Sequence, residues 1–184
     1  MEAYLDNSAT TRVDAQVQEL MKKLMDVDFG NPSSRHQKGV VAEGYIKDAR
    51  QKIAATLKVD PKELIITSGG TESNNMALIG TALAAKRKGN HIITTAVEHP
   101  SVKATASFLE EQGFRITFLS VDSRGQISLE DLKEALTPDT ILVSIMYVNN
   151  EIGTIQPVEE AAKLVHATVP GVVFHVDAIQ SYGK

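Results

Sequence analysis

The sequence predicts an α/β fold in which a mainly parallel sheet lies between two layers of helices, a three-layer α/β/α arrangement. Short apolar runs rich in β-branched residues alternate along the chain with longer stretches of helical character. Several of these runs are continuously apolar rather than alternating, which is typical of strands buried on both faces. The repeated strand–helix order favours parallel pairing with right-handed crossovers.

Taken in chain order, the apolar runs and helical stretches define the elements. The predicted strands are residues 64–67, 91–97, 114–121, 140–148 and 172–177. The predicted helices are residues 14–27, 38–57, 71–88, 100–112, 128–136 and 158–169. Ser128 and Asp131 resemble a capping box at the start of one helix, and Pro157 suits the start of the last. Because no strand-like run precedes residue 61, residues 1–60 are predicted to form an N-terminal arm with helices, and residues 61–184 the sheet domain.

Composition narrows the class of protein. The chain has 184 residues, of which 42% are hydrophobic, and its net charge is −4, so we expect one domain with a real core and no direct contact with nucleic acid. It contains no cysteine, which excludes disulfides, thiolate metal sites and a cysteine nucleophile within these residues. The start M-E-A-Y-L-D-N lacks a signal-peptide pattern, and no uncharged apolar run approaches the ~20 residues that span a bilayer. We therefore expect a soluble, cytoplasmic protein without membrane contact.

Polar segments follow the predicted strands, where open parallel sheets bind their ligands. The first is T-S-G-G-T-E-S-N-N, in which Gly69 and Gly70 permit a tight turn and Thr71 begins a helix. A helix N-terminus presents free N–H groups and a positive dipole end, so it suits a phosphate. A glycine turn capped by Thr71, with no ligand, is the alternative.

Two further strand ends carry candidate ligand-binding groups. In V-E-H-P-S, His99 lies just before a helix that starts with proline, where it would stack on a planar ring or transfer a proton. The alternative is an exposed loop histidine. In Y-V-N-N-E-I-G-T, amides that include Asn150 would hydrogen-bond a polar ligand, or would only shape a turn.

The last strand raises the sharpest question, because Asp177 is a carboxylate in an apolar strand. A buried carboxylate needs a cationic partner or a set of donors. His175 and Asp177 would face the same way and suggest a metal pair, but no third ligand lies nearby in the sequence. A pyridinium nitrogen is a better partner. Pyridoxal 5′-phosphate (PLP) also needs a phosphate site, a donor to its phenolic oxygen and a group against its ring, which Gly70 with Thr71, Gln180 and His99 would supply.

The order of these motifs resembles a known family. Y-L-D-N-S-A-T-T, G-N-P-S-S-x-H-x-x-G, T-S-G-G-T-E-S-N-N, E-H-P-S-V, V-N-N-E-I-G-T-I-Q-P and H-V-D-A-I-Q-S-Y-G-K are similar to successive signatures of the cysteine desulfurases. These belong to aminotransferase class V, PLP-dependent enzymes with the type I fold. The resemblance implies release of sulfur from L-cysteine, giving alanine and a persulfide on an enzyme cysteine. It also implies a homodimer that passes sulfur to acceptor or scaffold proteins for iron–sulfur clusters and for thiolation of tRNA and cofactors.

Position by position, the resemblance implies roles for the candidate residues. Gly70 and Thr71 would bind the cofactor phosphate, Asp177 would pair with the pyridine nitrogen, and Gln180 would hydrogen-bond the phenolic oxygen. His99 would stack on the ring and act as a catalytic acid or base.

The resemblance gives Asn150 a place near the phenolic oxygen and the substrate carboxylate. It also implies parts that these residues do not contain: the Schiff-base lysine in a Ser-x-His-Lys context, and a small C-terminal domain with the persulfide cysteine. We therefore expect an incomplete type I large domain that binds PLP weakly and is inactive alone. Lys184 lies only seven residues after Asp177 and is not expected to be the Schiff-base lysine.

Two alternatives to a cysteine desulfurase stay open at this point. Within the same fold, a selenocysteine lyase or a sulfinate-releasing relative would carry the same cofactor motifs. From a different class, the chain would serve only as a binding or dimerisation module without chemistry of its own.

Overall fold

The computed structural model describes residues 2–183, which form two compact units. One unit extends to Ile66 and the other begins at Thr67. The first unit holds helix α1 (Ala15–Asp26), helix α2 (Gln37–Leu57) and a single 3₁₀ turn (Pro61–Glu63). The predicted helices over 14–27 and 38–57 are therefore confirmed to within one residue at each end.

Local hydrogen bonds set the ends of these helices. The Asp14 side chain accepts a hydrogen bond from the Gln16 N–H at the start of α1, which satisfies one of the donors left free by a helix N-terminus. Between the helices, the Tyr45 hydroxyl donates to Asp28 Oδ2 over 2.8 Å. Lys23 Nζ donates to the same hydroxyl over 2.8 Å, so this cluster joins α2 to the end of α1.

The second unit contains a parallel sheet. The strands are β1 (His91–Thr95), β2 (Arg115–Leu119), β3 (Thr140–Met146) and β4 (Val173–Asp177). The helices are α3 (Gly70–Ala85), α4 (Pro100–Glu111), α5 (Leu129–Ala135) and α6 (Val158–Thr168). All strand pairs are parallel and the spatial order is β2-β1-β3-β4, which confirms the predicted sheet.

Helices cover both faces of this sheet. Leu142 and Val143 are neighbours on β3 and therefore point to opposite faces. Leu142 packs in a core with residues of α3 and α4, including Leu78 and Leu109. Val143 packs in a second core with residues of α5 and α6, including Val165. The three-layer prediction is confirmed, and β1 and β3 are buried along their whole length, as their continuous apolar runs indicated.

The predicted strand over residues 64–67 is wrong. These residues pair with no strand, and Ile65 and Ile66 are 69% and 60% exposed. The Leu64 carbonyl accepts a hydrogen bond from Arg50 Nη1 over 2.7 Å, so a side chain takes the acceptor that a ladder would use. An apolar run of four residues matches the pattern of a buried strand. It forms a strand only where a second strand lies beside it to accept and donate the backbone hydrogen bonds.

The strand order places the carboxyl ends of β1 and β3 side by side, at the edge of the sheet where a ligand would bind. The chain leaves β1 towards β2 on one side and then returns to place β3 on the other side of β1. This reversal opens a crevice beyond the carboxyl ends of β1 and β3, where ligands of open α/β sheets bind. Within residues 2–183, no helix has the length and apolar character needed to cross a membrane.

Candidate functional site

The end of β4 and the start of α3 border an open cavity of about 400 Å³. The residues that line it are Gly70, Ser73, Asn74, His175, Val176, Asp177, Ala178, Ile179 and Tyr182. Two of the residues singled out in the sequence, Gly70 and Asp177, thus lie in one cavity although more than a hundred positions separate them. Ile179 lies so close to Gly70 that a Cβ at position 70 would overlap its δ-methyl group.

The N-terminus of α3 supplies the positive end of this cavity. Gly69, which precedes the helix, has an extended backbone and contributes no side-chain cap. The first N–H groups of a helix have no acceptor within the helix, and its dipole favours an anion there. The Glu72 carboxylate accepts hydrogen bonds from the Ser68 hydroxyl and N–H over 2.6 and 2.7 Å, which lower the pKa of Glu72. These bonds hold the carboxylate on Ser68 rather than on the helix end.

The Asp177 carboxylate is buried, with 7% of the residue exposed, and its partners are neutral. Asn74 Nδ2 donates to Oδ2 over 2.8 Å, and the Ile179 N–H donates to Oδ1 over 3.1 Å. None of the ion pairs found among residues 2–183 involves Asp177. The cavity therefore contains a buried carboxylate without a cationic partner among the described residues.

His175 lines the same cavity on the same strand. Its Nδ1 lies 2.8 Å from Ser144 Oγ, and burial lowers the pKa of the imidazole although the charge of Asp177 acts in the opposite direction. His175 is consequently neutral near pH 7. It does not offset the charge of Asp177, and the carboxylate stays available to a cationic ligand.

His99 is joined to Asp177 through two side chains that the sequence did not single out. The His99 ring is exposed and caps α4, because Nδ1 accepts a hydrogen bond from the Ser101 N–H over 3.1 Å. Nδ1 also lies 2.8 Å from Ser101 Oγ, and that oxygen accepts a hydrogen bond from Asn74 Nδ2 over 3.0 Å. Asn74 lies four residues after Gly70 on α3, so helical spacing places both on one face. That spacing is the signal by which Asn74 could have been found.

Glu98 joins the ends of β1 and β3 at the crevice. It is 2% exposed, and its Oε1 accepts hydrogen bonds from Thr95 Oγ1 over 2.8 Å and from the Met146 N–H over 2.9 Å. Its Oε2 has no partner among the described residues. Burial raises the pKa of Glu98 to about 7, although the hydrogen bonds from Met146 and Thr95 act to lower it. A glutamate beside His-Pro resembles a loop residue in the sequence, and its burial follows only from the packing.

The protonation of Glu98 predicts how stability depends on pH. Because its pKa rises on folding from 4.5 to about 7, the folded state holds the proton more tightly, and stability is lost as pH rises through this window. The loss is about 3 kcal/mol in the free energy of unfolding. Glu98→Gln stays uncharged at every pH. Its free energy of unfolding, measured with urea, should therefore change less with pH than that of the wild type between about pH 5 and pH 8. The exposed control Glu130→Gln should keep the wild-type slope; equal slopes in all three proteins would contradict the burial of Glu98.

Asn149, rather than Asn150, is the buried amide after β3. Asn149 Nδ2 donates to the Val97 carbonyl over 2.8 Å, and its Oδ1 accepts from the N–H groups of Glu151 and Ile152. It therefore holds the loop after β3 against the loop that precedes His99. Asn150 is half-buried and donates to Glu151 Oε1 over 3.0 Å.

Besides His99, three predicted site residues do not line the cavity as the structure describes it: Thr71, Asn150 and Gln180. Thr71 lies in the first turn of α3 and is exposed, and Gln180 lies half-buried in the turn after β4. Their roles towards a cofactor remain predictions, as does that of His99. Lys184 lies outside the described residues.

The two adjacent glycines at the start of α3 offer a test of the cavity wall. Gly70→Ala should disturb the cavity because its methyl group would overlap Ile179, whereas a methyl group on Gly69 meets nothing within 4 Å. We expect anion or cofactor affinity to fall at least about tenfold in Gly70→Ala, a loss of roughly 1.4 kcal/mol. Isothermal titration of both variants with PLP measures this. Equal affinities would show that the contact between α3 and Ile179 does not shape the site.

Comparison with known proteins identifies the family. The aminotransferase class-V profile matches residues 3–184. This chain therefore belongs to the aminotransferase class-V family. A cysteine desulfurase IscS from Dictyoglomus turgidum is 50% identical over 182 residues, which is 99% of this chain and 46% of that protein. A putative cysteine desulfurase IscS 1 from Bacillus subtilis is 48% identical over 98% of this chain and 47% of that protein.

Solved structures show the same relationship. A NifS-like protein superposes with a TM-score of 0.96 at 43% identity, over 100% of this chain and 50% of that one. SspA in complex with cysteine superposes with a TM-score of 0.91 at 40% identity, over 97% of this chain and 51% of that one. The chain thus spans about half the length of the relatives that it matches.

Proposed function

We propose that the protein is a PLP-dependent cysteine desulfurase and that the cavity at the end of β4 receives the cofactor ring. The observation that carries this proposal is the buried Asp177 carboxylate, which has only neutral donors and faces a cavity that also contains the start of α3. A ligand with a cation at one end and an anion at the other matches these two features. A pyridinium ring with a phosphate group is such a ligand.

The residues of the cavity fit PLP by charge and by shape. Asp177 would accept the N–H of the ring and so keep the ring nitrogen protonated. The first turn of α3, at Gly70 and Thr71, would bind the phosphate through its N–H groups. A Cβ at position 70 would overlap the δ-methyl group of Ile179 and force that side chain to move, so glycine is the residue that lets α3 and Ile179 approach this closely.

The chemistry follows from how these residues hold the cofactor. When bound, PLP supplies an electron sink that stabilises a substrate carbanion, provided that its ring nitrogen is protonated. Asp177 would keep that proton on the ring nitrogen by accepting its hydrogen bond. His99, with an exposed ring at the carboxyl end of β1, is the residue for stacking on the cofactor and for moving a proton at the substrate. Asn150 and Gln180 are the proposed partners of the phenolic oxygen.

The substrate and the sulfur acceptor rest on the relatives. Several are named cysteine desulfurases, and one solved relative is described in complex with cysteine. The reaction transfers the sulfur of L-cysteine to an enzyme thiol, so that the C–S bond breaks, an S–S bond forms and alanine is released. These 184 residues contain no cysteine, so in this proposal the acceptor thiol and the Schiff-base lysine lie in sequence outside them.

The remaining parts of the proposal concern organisation. Residues 61–184 are proposed as the cofactor-binding part of a type I large domain, preceded by the helical arm of residues 1–60. The resemblance also supports a homodimer that delivers sulfur to acceptor or scaffold proteins for iron–sulfur clusters, in the cytoplasm.

The function is tested by supplying the full-length protein with PLP, L-cysteine and a reductant. Alanine and sulfide should appear in equal amounts, and omission of PLP should abolish both. The chain of 184 residues, assayed alone, should bind PLP weakly and release neither product. Absence of PLP binding by the full-length protein, or alanine without sulfide, would contradict the proposal.

A further inference from the structure

Asn74 bridges two groups of the candidate site that no strand or helix connects. It is 3% exposed, and its amide nitrogen lies 2.8 Å from Asp177 Oδ2 and 3.0 Å from Ser101 Oγ. A carboxylate can only accept hydrogen bonds, so the nitrogen of the amide must be the atom that faces Asp177. Both hydrogens of the Asn74 amide are then committed, one to Asp177 and one to Ser101.

The hydrogen bond from Asn74 to Ser101 fixes the direction of the bond between Ser101 and His99. Since Ser101 Oγ accepts from Asn74, its own hydrogen is available for His99 Nδ1, which lies 2.8 Å away. The Ser101 N–H donates to the same ring nitrogen over 3.1 Å. A ring nitrogen that accepts two hydrogen bonds carries no proton, so neutral His99 carries its proton on Nε2.

We propose that Asn74 and Ser101 are positioning residues that form a hydrogen-bond relay with one direction, from Asn74 to Asp177 and through Ser101 to His99. The relay holds the Asp177 carboxylate as an acceptor and presents the Nε2–H of His99 as a donor. Only the consequence of the relay rests on the proposed function: both groups would be oriented for the cofactor before the cofactor binds. The hydrogen bonds themselves belong to this chain.

A pair of neighbouring substitutions isolates the relay. Asn74→Asp keeps the size of the side chain. The new carboxyl group would share one proton with Asp177, since two adjacent buried carboxylates do not both ionise, and would offer Ser101 only an acceptor. The Ser101 hydroxyl would therefore turn to it and away from His99. Asn75→Asp makes the same replacement of amide by carboxyl one residue later, where the amide bonds to the Thr71 carbonyl and Thr105 Oγ1 instead. The control thus carries the same replacement and also loses a hydrogen bond.

The first readout is ¹⁵N NMR of the imidazole nitrogens in the cofactor-free protein, with His99 assigned through the signal missing in His99→Asn. We expect a protonated Nε2 and an unprotonated Nδ1 in the wild type and in Asn75→Asp. In Asn74→Asp the Nδ1 signal should shift towards that of an unprotonated nitrogen that accepts one hydrogen bond instead of two, because the bond from the Ser101 N–H remains. The second readout is PLP affinity, which should fall roughly tenfold to hundredfold in Asn74→Asp and less than about threefold in Asn75→Asp.

The outcomes separate the relay from the proposed function, because the NMR experiment needs no cofactor. An unshifted Nδ1 signal in folded Asn74→Asp, or equal PLP affinities of the two variants, would overturn the proposal. If circular dichroism shows that Asn74→Asp is unfolded, Ser101→Ala and Ser101→Thr decide instead. Loss of the hydroxyl in Ser101→Ala should shift Nδ1, and Ser101→Thr should restore it. No shift in Ser101→Ala would overturn the relay.

Discussion

Asp177→Asn is expected to remove most PLP-dependent turnover while it leaves the cofactor-free protein about as stable as the wild type. With the carboxylate gone, the ring nitrogen would lose the partner that keeps it protonated. Breaking a buried charge pair by removing one partner costs about 3–5 kcal/mol, so cofactor affinity or turnover should fall by roughly two to four orders of magnitude.

Stability should respond differently because two effects oppose each other. In Asp177→Asn only one oxygen remains for the two donors, Asn74 and the Ile179 N–H, which costs about 1 kcal/mol. The variant also removes a buried charge that has no cation beside it, which offsets that cost. Urea unfolding without PLP measures the balance, with Asp48→Asn, which is exposed in the middle of α2, as the control. A large loss of stability with unchanged PLP affinity would show that Asp177 is structural.

His99→Asn should reduce turnover as strongly as His99→Ala, by roughly 10²–10⁴-fold, because both remove the acid–base group. The two variants differ in the cap of α4. Asparagine can accept the hydrogen bond from the Ser101 N–H that His99 Nδ1 accepts, whereas alanine cannot. Only His99→Ala should therefore lose about 1 kcal/mol of stability.

Steady-state kinetics with L-cysteine and thermal unfolding of the same preparations give both quantities. If His99→Asn turns over cysteine at the wild-type rate, the histidine serves the fold through its cap and has no part in the chemistry. The pair of variants thus separates capping from catalysis at one position.

The sheet could be predicted because its signal lies within each segment. β1 and β3 are buried on both faces, and a strand in that position is mainly apolar without polar alternation and lacks Asp, Glu, Lys and Arg, as do the runs at 91–97 and 140–148. The run at 64–67 contains the same kinds of residue, but it has no neighbouring strand in the part of the chain that the structure describes. The residues within the run do not indicate whether a partner strand is present. Pairing is a property of two segments, so a single segment cannot establish it.

The residues of the candidate site likewise fall into those with a local sequence signal and those whose partners are distant in the sequence. Gly70 and Asp177 were predictable because a glycine before a helix and a carboxylate in an apolar strand are each unusual in their local context. The spacing from Gly70 indicates the helix face of Asn74 but not its partner, since the bond from Asn74 to Asp177 joins residues 103 positions apart. Ser101 has no comparable local signal. For two adjacent asparagines, the sequence does not tell which side chain turns inwards, and it is Asn149 that is buried.

If Asp177 and the start of α3 hold the two ends of one cofactor, a crystal structure of the full-length protein with PLP should show both contacts at once. We expect the ring nitrogen at about 2.7–2.9 Å from an Asp177 carboxylate oxygen and the phosphate on the N–H groups of the first turn of α3. A phosphate bound elsewhere, or a ring nitrogen that contacts no carboxylate, would contradict it.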